Sequence, residues 1–383
     1  MRRISILGAT GSIGGSTLDL VRRNRADWQV AALTAQTNVA DLAALAREFS
    51  AEMAVIGDEA QLPALREALA GSGVTAAGGP AALIEAAQCP ADLVVAAIVG
   101  CAGLAPTMAA IERGAAVALA NKEALVSAGS VMTAAVARHG ATLLPMDSEH
   151  NAIFQCLAGN ELSDVRSITL TASGGPLREW SAAQLDAASP AQAVAHPNWS
   201  MGAKISVDSA TMFNKGLELI EAHHLFPIPL DALKIVVHPQ SVIHSLVEYR
   251  DGSSLAQLGP SDMRVPIASC LAWPARMETP MAPLDLAALG QLTFFAPDEV
   301  RFPATRLARE AAEAGGAAPA VLNAANEIAV GAFLAGQIKF TRIAPLVSET
   351  LASLDLARPV TLDDVFAVDQ AARARAAHLL ERC

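Results

Sequence analysis

No two cysteines in this chain of 383 residues stand in Cys-x-x-Cys spacing. The five thiols, Cys89, Cys101, Cys156, Cys270 and Cys383, are scattered and odd in number. That pattern writes no zinc site and fits free thiols in a reducing compartment, with the cytoplasm as the expected location. Basic charge is also short, because 27 Lys and Arg face 38 Asp and Glu and leave a net charge of −11. This balance argues against a nucleic-acid or anionic-membrane face, so any bound phosphate must be met by local donors, and small anionic ligands are expected. No apolar run reaches membrane-spanning length free of charge and turn residues. The run behind Arg2 and Arg3 is broken at once by Gly8, Thr10, Gly11 and Ser12, which makes it a first strand rather than a signal peptide. What the chain does have is 52% hydrophobic content, enough for a large core in two or three domains.

The first third alternates strand and helix. Ile4 to Ala9 is a short apolar strand, GATGSIG follows with Gly8, Gly11 and Gly14, and Ser16 to Arg23 has helical periodicity. Glycines there let the backbone turn tightly and approach a pyrophosphate, whose charge is met by N–H groups at the helix start. The spacing is G-x-x-G-x-x-G, and a purely structural turn competes with dinucleotide binding. Trp28 to Ala35, Ala51 to Gly57, Asp92 to Val99 and Ala116 to Ala120 read as buried strands, with amphipathic segments such as Asp41 to Phe49 and Pro63 to Ala70 between them. The alternation predicts an α/β fold with a doubly wound parallel sheet. The second strand ends in Gln36, Thr37 and Asn38, with no carboxylate for a ribose, which leaves room for a 2′-phosphate and favours NADP. Asn121, Lys122 and Glu123 stand at the carboxyl end of a strand, where such sheets place ligands. A solvated lysine at a helix start is the competing account of Lys122.

The stretch Leu143 to Ala152 carries Asp147, Ser148 and Glu149 after an apolar run. In an extended chain Asp147 and Glu149 share a face and hold a hard cation between them, whereas the alternative is an acidic strand end capping a helix from His150 to Leu157. Val165 to Thr171 is a strand leading into Ser173-Gly174-Gly175-Pro176, a turn that presents a hydroxyl and N–H groups to an anion, or simply a tight turn. His196-Pro197-Asn198-Trp199-Ser200-Met201-Gly202 looks like a lid that covers an apolar part of a ligand, against a packing loop. Asp208 to Glu218 leads into a helix running to His224, on which Asn214, Lys215 and Glu218 are neighbours. A surface Lys/Glu pair would explain two of them, but Ser209 clusters with them where other charges are few. Lys234 to Val237, Val242 to Tyr249 and Ser253 to Leu258 read as strands, and His238 and His244 on them read as structural.

These residues, with ALANKEALV, MDSEHNAIFQ, TASGGP, HPNWSMGAKISVDSATM, NKGLELIEA and HPQSVIHS in the same order, resemble the 1-deoxy-D-xylulose 5-phosphate reductoisomerases of the non-mevalonate isoprenoid pathway over essentially the whole chain. The resemblance implies a Rossmann-like NADPH-binding domain over 1–140, an α+β catalytic domain over 141–276, a linker over 277–300 and a C-terminal helical domain over 301–383. It implies magnesium or manganese on Asp147, Glu149 and Glu218, and phosphate on Ser173, Ser209, Asn214 and Lys215. Lys122, Ser148 and His196, with Glu149, match the catalytic centre, and Trp199 and Met201 match the lid. Gly8, Thr10, Gly11, Ser12, Ile13, Asn38, Asn121, Glu123 and Gly202 match the cofactor site. A sugar phosphate substrate and a homodimer are implied as well. The chain departs from the family where Gln36-Thr37-Asn38 replaces the common Gly-Lys-Asn, which removes a lysine contact to the 2′-phosphate.

Met277 to Thr293 reads as a linker. After it, Thr305 to Ala314, Ala320 to Leu334, Ile343 to Leu354 and Leu362 to Ala377 repeat apolar residues at helical spacing and predict a small bundle without chemistry; Asn323, Asn326 and Glu327 read as capping and packing at the junction with the middle domain, against a reading as polar site residues. Two other readings use the same features: another metal-assisted, nicotinamide-dependent hydroxy-acid dehydrogenase, and a dinucleotide-binding sensor without turnover.

Overall fold

The computed structural model describes residues 1–199 and 201–382; Ser200 of the lid-like segment and Cys383 lie outside the described residues. The chain divides into two compact units, the first made of residues 1–124, 132–147 and 263–280, the second of 125–131, 148–262 and 281–383.

In the first unit seven short apolar segments pair in parallel. They are β1 (Arg2–Leu7), β2 (Trp28–Ala35), β3 (Met53–Ile56), β4 (Thr75–Gly78), β5 (Leu93–Ala96), β6 (Ala116–Leu119) and β7 (Thr142–Pro145), in the spatial order β4-β3-β2-β1-β5-β6-β7. A parallel sheet is buried on both faces, which is why Ile4, Ile6, Val30, Leu33, Val55, Val94, Val95 and Val117 form apolar runs without polar alternation and are all fully buried. Strand order reverses between β1 and β5, and the crevice outside the carboxyl ends at such a reversal is where doubly wound sheets bind ligands.

The second unit has a four-stranded sheet, β11-β10-β8-β9, from β8 (Val165–Ala172), β9 (Leu233–Val237), β10 (Ile243–Tyr249) and β11 (Ser254–Leu258). Ile168, Leu170 and Val247 turn inward on Ile153 and Leu219 of covering helices and on Phe226 just after the second of them. A larger core joins Phe213, Leu217 and Ile220 to Leu307, Leu322, Phe333 and Leu346 of the helices Ala304–Ala314, Ala318–Leu334 and Ile343–Ala352. The α/β architecture with a helical C-terminal region therefore stands as the sequence predicts.

One local expectation is corrected. The stretch Leu143 to Ala152 is not an extended strand through Glu149; β7 stops at Pro145 and the helix Ser148–Leu157 begins two residues earlier than His150. Asp, Ser and Glu in succession favour a helix start, where carboxylates lie near unsatisfied N–H groups, and that preference outweighs continued pairing beyond Pro145.

Candidate active site

In the first unit β1 delivers the chain to Gly8, whose φ of +89° leaves no space for a side chain, since a Cβ would meet the Ala97 carbonyl oxygen at 2.6 Å. A Cβ on Gly14 would lie 2.3 Å from the Gly8 carbonyl oxygen, so the helix Ser12–Arg23 can start this close to the strand only with glycine there. The Gly8 N–H donates to Thr34 Oγ1 at 2.9 Å, a partner on β2 that sequence reading overlooked. Gly11 caps the helix without a side chain, and Thr10, Gly11, Ser12 and Ile13 line this start, with its N–H groups available to an anion.

Asn121 follows β6 and is held on both sides: its Oδ1 accepts from the Ala124 N–H at 3.1 Å, and its Nδ2 donates to the Gly100 carbonyl at 2.8 Å. The helix Lys122–His139 thus begins at a fixed point, with Glu123 in its first turn. Lys122 is buried and its Nζ donates to Asp147 at 2.5 Å. Asn38 caps the helix Val39–Glu48, accepting from the Asp41 N–H at 3.1 Å and donating to the Asp41 carboxylate at 2.7 Å.

From Ser148 the chain runs in the second unit. Ser148 Oγ donates to Glu149 at 2.5 Å. Met212, at φ +68°, ends the helix Ala203–Thr211 and starts Phe213–Leu225, which puts Asn214 and Lys215 into a fresh first turn. Lys215 is buried and its ammonium bonds both Glu149, at 2.8 Å, and Glu218, while Asn214 Nδ2 donates to the other Glu218 oxygen at 2.5 Å. Two carboxylates from different helices therefore converge on one cationic group, the arrangement a hard cation requires.

His150 was not singled out by sequence, although it directly follows Glu149. It is wholly buried, and its Nε2 meets the Glu218 carbonyl at 2.8 Å; because a carbonyl only accepts, that nitrogen carries a proton. That hydrogen bond ties the helix bearing Glu149 to the helix bearing Glu218, and Nδ1 lies 3.1 Å from a Glu221 carboxylate oxygen.

Ser173 begins a turn in which Gly174 and Gly175 both have positive φ. A Cβ on Gly175 would meet the Ser209 carbonyl oxygen at 2.6 Å, so the turn packs directly on the helix Ala203–Thr211 and brings Ser173 and Ser209 to one region. His196 Nδ1 accepts from the N–H groups of Asn198 and Trp199 at 3.2 and 3.0 Å, which leaves the proton on Nε2, 2.8 Å from Ser173 Oγ. Burial holds the His196 pKa below its ordinary value. Ser173 Oγ then accepts from His196 and from the Gly175 N–H at 3.1 Å, and its own O–H is left to donate to a ligand. Trp199 donates to Ser241 at 3.1 Å and packs edge-on against His244, and Asn198 donates to the Pro239 carbonyl at 2.7 Å, which anchors the segment that leads to Met201 and Gly202. His238 and His244 are both buried within this unit, as structural residues would be.

Three family models match the chain: 1-deoxy-D-xylulose 5-phosphate reductoisomerase over residues 4–129, its C-terminal domain over 143–226, and the DXP reductoisomerase C-terminal domain over 258–375. The 1-deoxy-D-xylulose 5-phosphate reductoisomerase of Zymomonas mobilis is 60% identical over 99% of this chain and 98% of its own length. A solved structure of that name from Zymomonas mobilis in complex with NADPH superposes with a TM-score of 0.96 at 58% identity, covering 100% of both chains. A DOX-P reductoisomerase in complex with NADPH, fosmidomycin and magnesium superposes at 0.94 with 45% identity, covering 100% of this chain and 98% of the other. The chain belongs to the 1-deoxy-D-xylulose 5-phosphate reductoisomerase family.

Proposed function

We infer that this chain converts 1-deoxy-D-xylulose 5-phosphate, by rearrangement of its carbon skeleton followed by NADPH-dependent reduction, into 2-C-methyl-D-erythritol 4-phosphate for isoprenoid synthesis. The convergence of Glu149 and Glu218 on the Lys215 ammonium carries this reading, because it fits a cation-binding centre that a plain dinucleotide sensor does not need. Asp147, Glu149 and Glu218 would hold magnesium or manganese. Such an ion polarises a ketone and acidifies the neighbouring hydroxyl, which a skeletal rearrangement requires. The donor set, three carboxylates and no thiol, suits those hard cations.

Ser173, Ser209, Asn214 and Lys215 bind the substrate phosphate, with the Ser173 O–H free to donate because His196 and Gly175 fill its acceptor side. Lys122, Ser148, Glu149 and His196 orient the reacting hydroxyls. Trp199 and Met201 cover the ligand and exclude water from a reactive carbonyl. The Gly8 to Ile13 turn is the cradle for the cofactor pyrophosphate, since a Cβ on Gly8 or Gly14 would fill it. Asn121 and Glu123 serve the nicotinamide ribose, Asn38 the 2′-phosphate side, and Gly202 a further cofactor contact. Bound NADPH supplies the hydride.

Decay of NADPH absorbance with 1-deoxy-D-xylulose 5-phosphate tests the function. Oxidation is expected with magnesium or manganese, is abolished by chelator, and is slower with NADH. Folded, metal-loaded protein that oxidises neither cofactor would refute it.

The working form is a cytoplasmic homodimer. Among the described residues no helix is long and apolar enough to cross a membrane. Phe295 bridges Val237 on β9, whereas the outer edge of β11 pairs with no described strand and exposes Leu255 and Leu258, an edge a second copy would cover. Light scattering should give about twice 39.5 kDa; a monomer at micromolar concentration would contradict this.

A further inference from the structure

Asp208 directly precedes Ser209 on the helix Ala203–Thr211, yet its carboxylate is 1% exposed and points away from solvent into the second unit. A buried carboxylate needs donors, or it costs several kcal/mol. Asp208 has two. Asn326 Nδ2 donates to Oδ1 at 2.8 Å, and Lys204 Nζ, one turn earlier on the same helix, meets Oδ2 at 2.8 Å.

Asn326 is fully buried in the helix Ala318–Leu334, and its own carbonyl oxygen has no hydrogen-bond donor among the described residues. Among the described residues its amide donates to Asp208. Apolar neighbours would pack as well in a bundle whose only task is to fill volume, and a polar pair at this depth is favourable only if the geometry it fixes matters. That geometry is the height and rotation of the helix Ala203–Thr211. The Ser173 to Pro176 turn packs on this helix at Ser209 with no space to give, because a Cβ on Gly175 would lie 2.6 Å from the Ser209 carbonyl oxygen and 2.7 Å from Ala210 Cα. A helix that slides or rolls by an ångström would shift Ser209 and Ser173 together.

We propose that Asn326, through its hydrogen bond to the buried Asp208, is a positioning residue of the C-terminal bundle that holds the Ser209 helix at the depth required for phosphate binding. Asn326 reaches substrate only through Asp208 and the helix backbone. The proposal deepens the assignment of Ser173 and Ser209 to phosphate binding and rests on it.

Asn323 supplies the control. It lies one turn earlier on the same helix, is equally buried, and gives its amide to Glu327 at 3.3 Å and Ser127 at 3.4 Å, neither of which lies on the Ser209 helix. Steady-state kinetics are measured on wild type, Asn326→Ala, Asn323→Ala and Asp208→Asn, with KM for the sugar phosphate and for NADPH determined separately and inorganic phosphate used as a competitive probe.

Asn326→Ala should raise KM for the sugar phosphate and KI for inorganic phosphate about ten-fold, in line with the loss of a hydrogen bond to a charged group, and leave KM for NADPH within about two-fold. Asn323→Ala should lower Tm comparably and move neither phosphate constant. If Asn326→Ala does not fold, the isosteric Asp208→Asn, which weakens the same contact, should show the same selective change. Unchanged phosphate constants in the folded Asn326→Ala, or in Asp208→Asn where that is the variant that folds, would overturn the proposal, as would equal changes in the Asn326 and Asn323 variants. Absence of wild-type turnover would instead remove the phosphate assignment itself and the proposal with it.

Discussion

Burial changes two imidazoles enough to make the stability of the protein depend on pH. His244 lies under Trp199 and donates from Nε2 to the Gly259 carbonyl at 3.2 Å, and desolvation pulls its pKa from the usual 6.5 to about 4. His224, whose ring fills the notch left by Gly129, is lowered to about 4 by burial and by the charge of His223 beside it. In both cases the unfolded chain binds a proton more readily than the folded one. Their stabilising effect is therefore complete above about pH 6.5 and is lost progressively as pH falls towards 4. Between pH 7 and pH 5 each should cost about 2 kcal/mol of unfolding free energy. Urea denaturation at the two pH values should show that fall, and His244→Gln should reduce it by about half. Equal stability at pH 5 and pH 7 would show that neither ring is held neutral.

At the scale of elements, the sequence spoke clearly where one physical signal dominated. The run Trp28 to Ala35 is a strand with those bounds because a long apolar stretch lies between turn residues and is buried on both faces. The helix Leu362–Leu380 was visible from its period, although its end lies three residues beyond Ala377 because fraying termini carry little apolar signal. Thr75–Gly78 is a strand of four small residues and had no period to read. The Asp147 to Glu149 stretch shows how two rules compete: alternation suits a strand, but consecutive cap-forming residues start a helix, and the helix prevails. Among candidate site residues, Glu149, Asn214, Lys215 and Glu218 were legible as a charged group in an apolar chain, and they do meet. Asp208 and Asn326 were not, since 118 residues separate them and each alone resembles an ordinary helical polar residue. The same applies to Glu221, whose partner His150 lies 71 positions away, the difference of the two residue numbers.

For the molecule as a whole, a net charge of −11 coexists with two buried lysines, Lys122 on Asp147 and Lys215 on Glu149 and Glu218. Each of those lysine ammonium groups lies where a cation meets carboxylate oxygens. The central claim is that these carboxylates are metal ligands rather than partners of lysine alone. It is tested most directly by the free-ion electron paramagnetic resonance signal of manganese, titrated against wild-type protein and Glu218→Gln. The account predicts that wild type removes one manganese ion per chain from the free signal, and that Glu218→Gln weakens this binding at least about ten-fold while keeping its fold by circular dichroism. Equal manganese binding by the two proteins would contradict it.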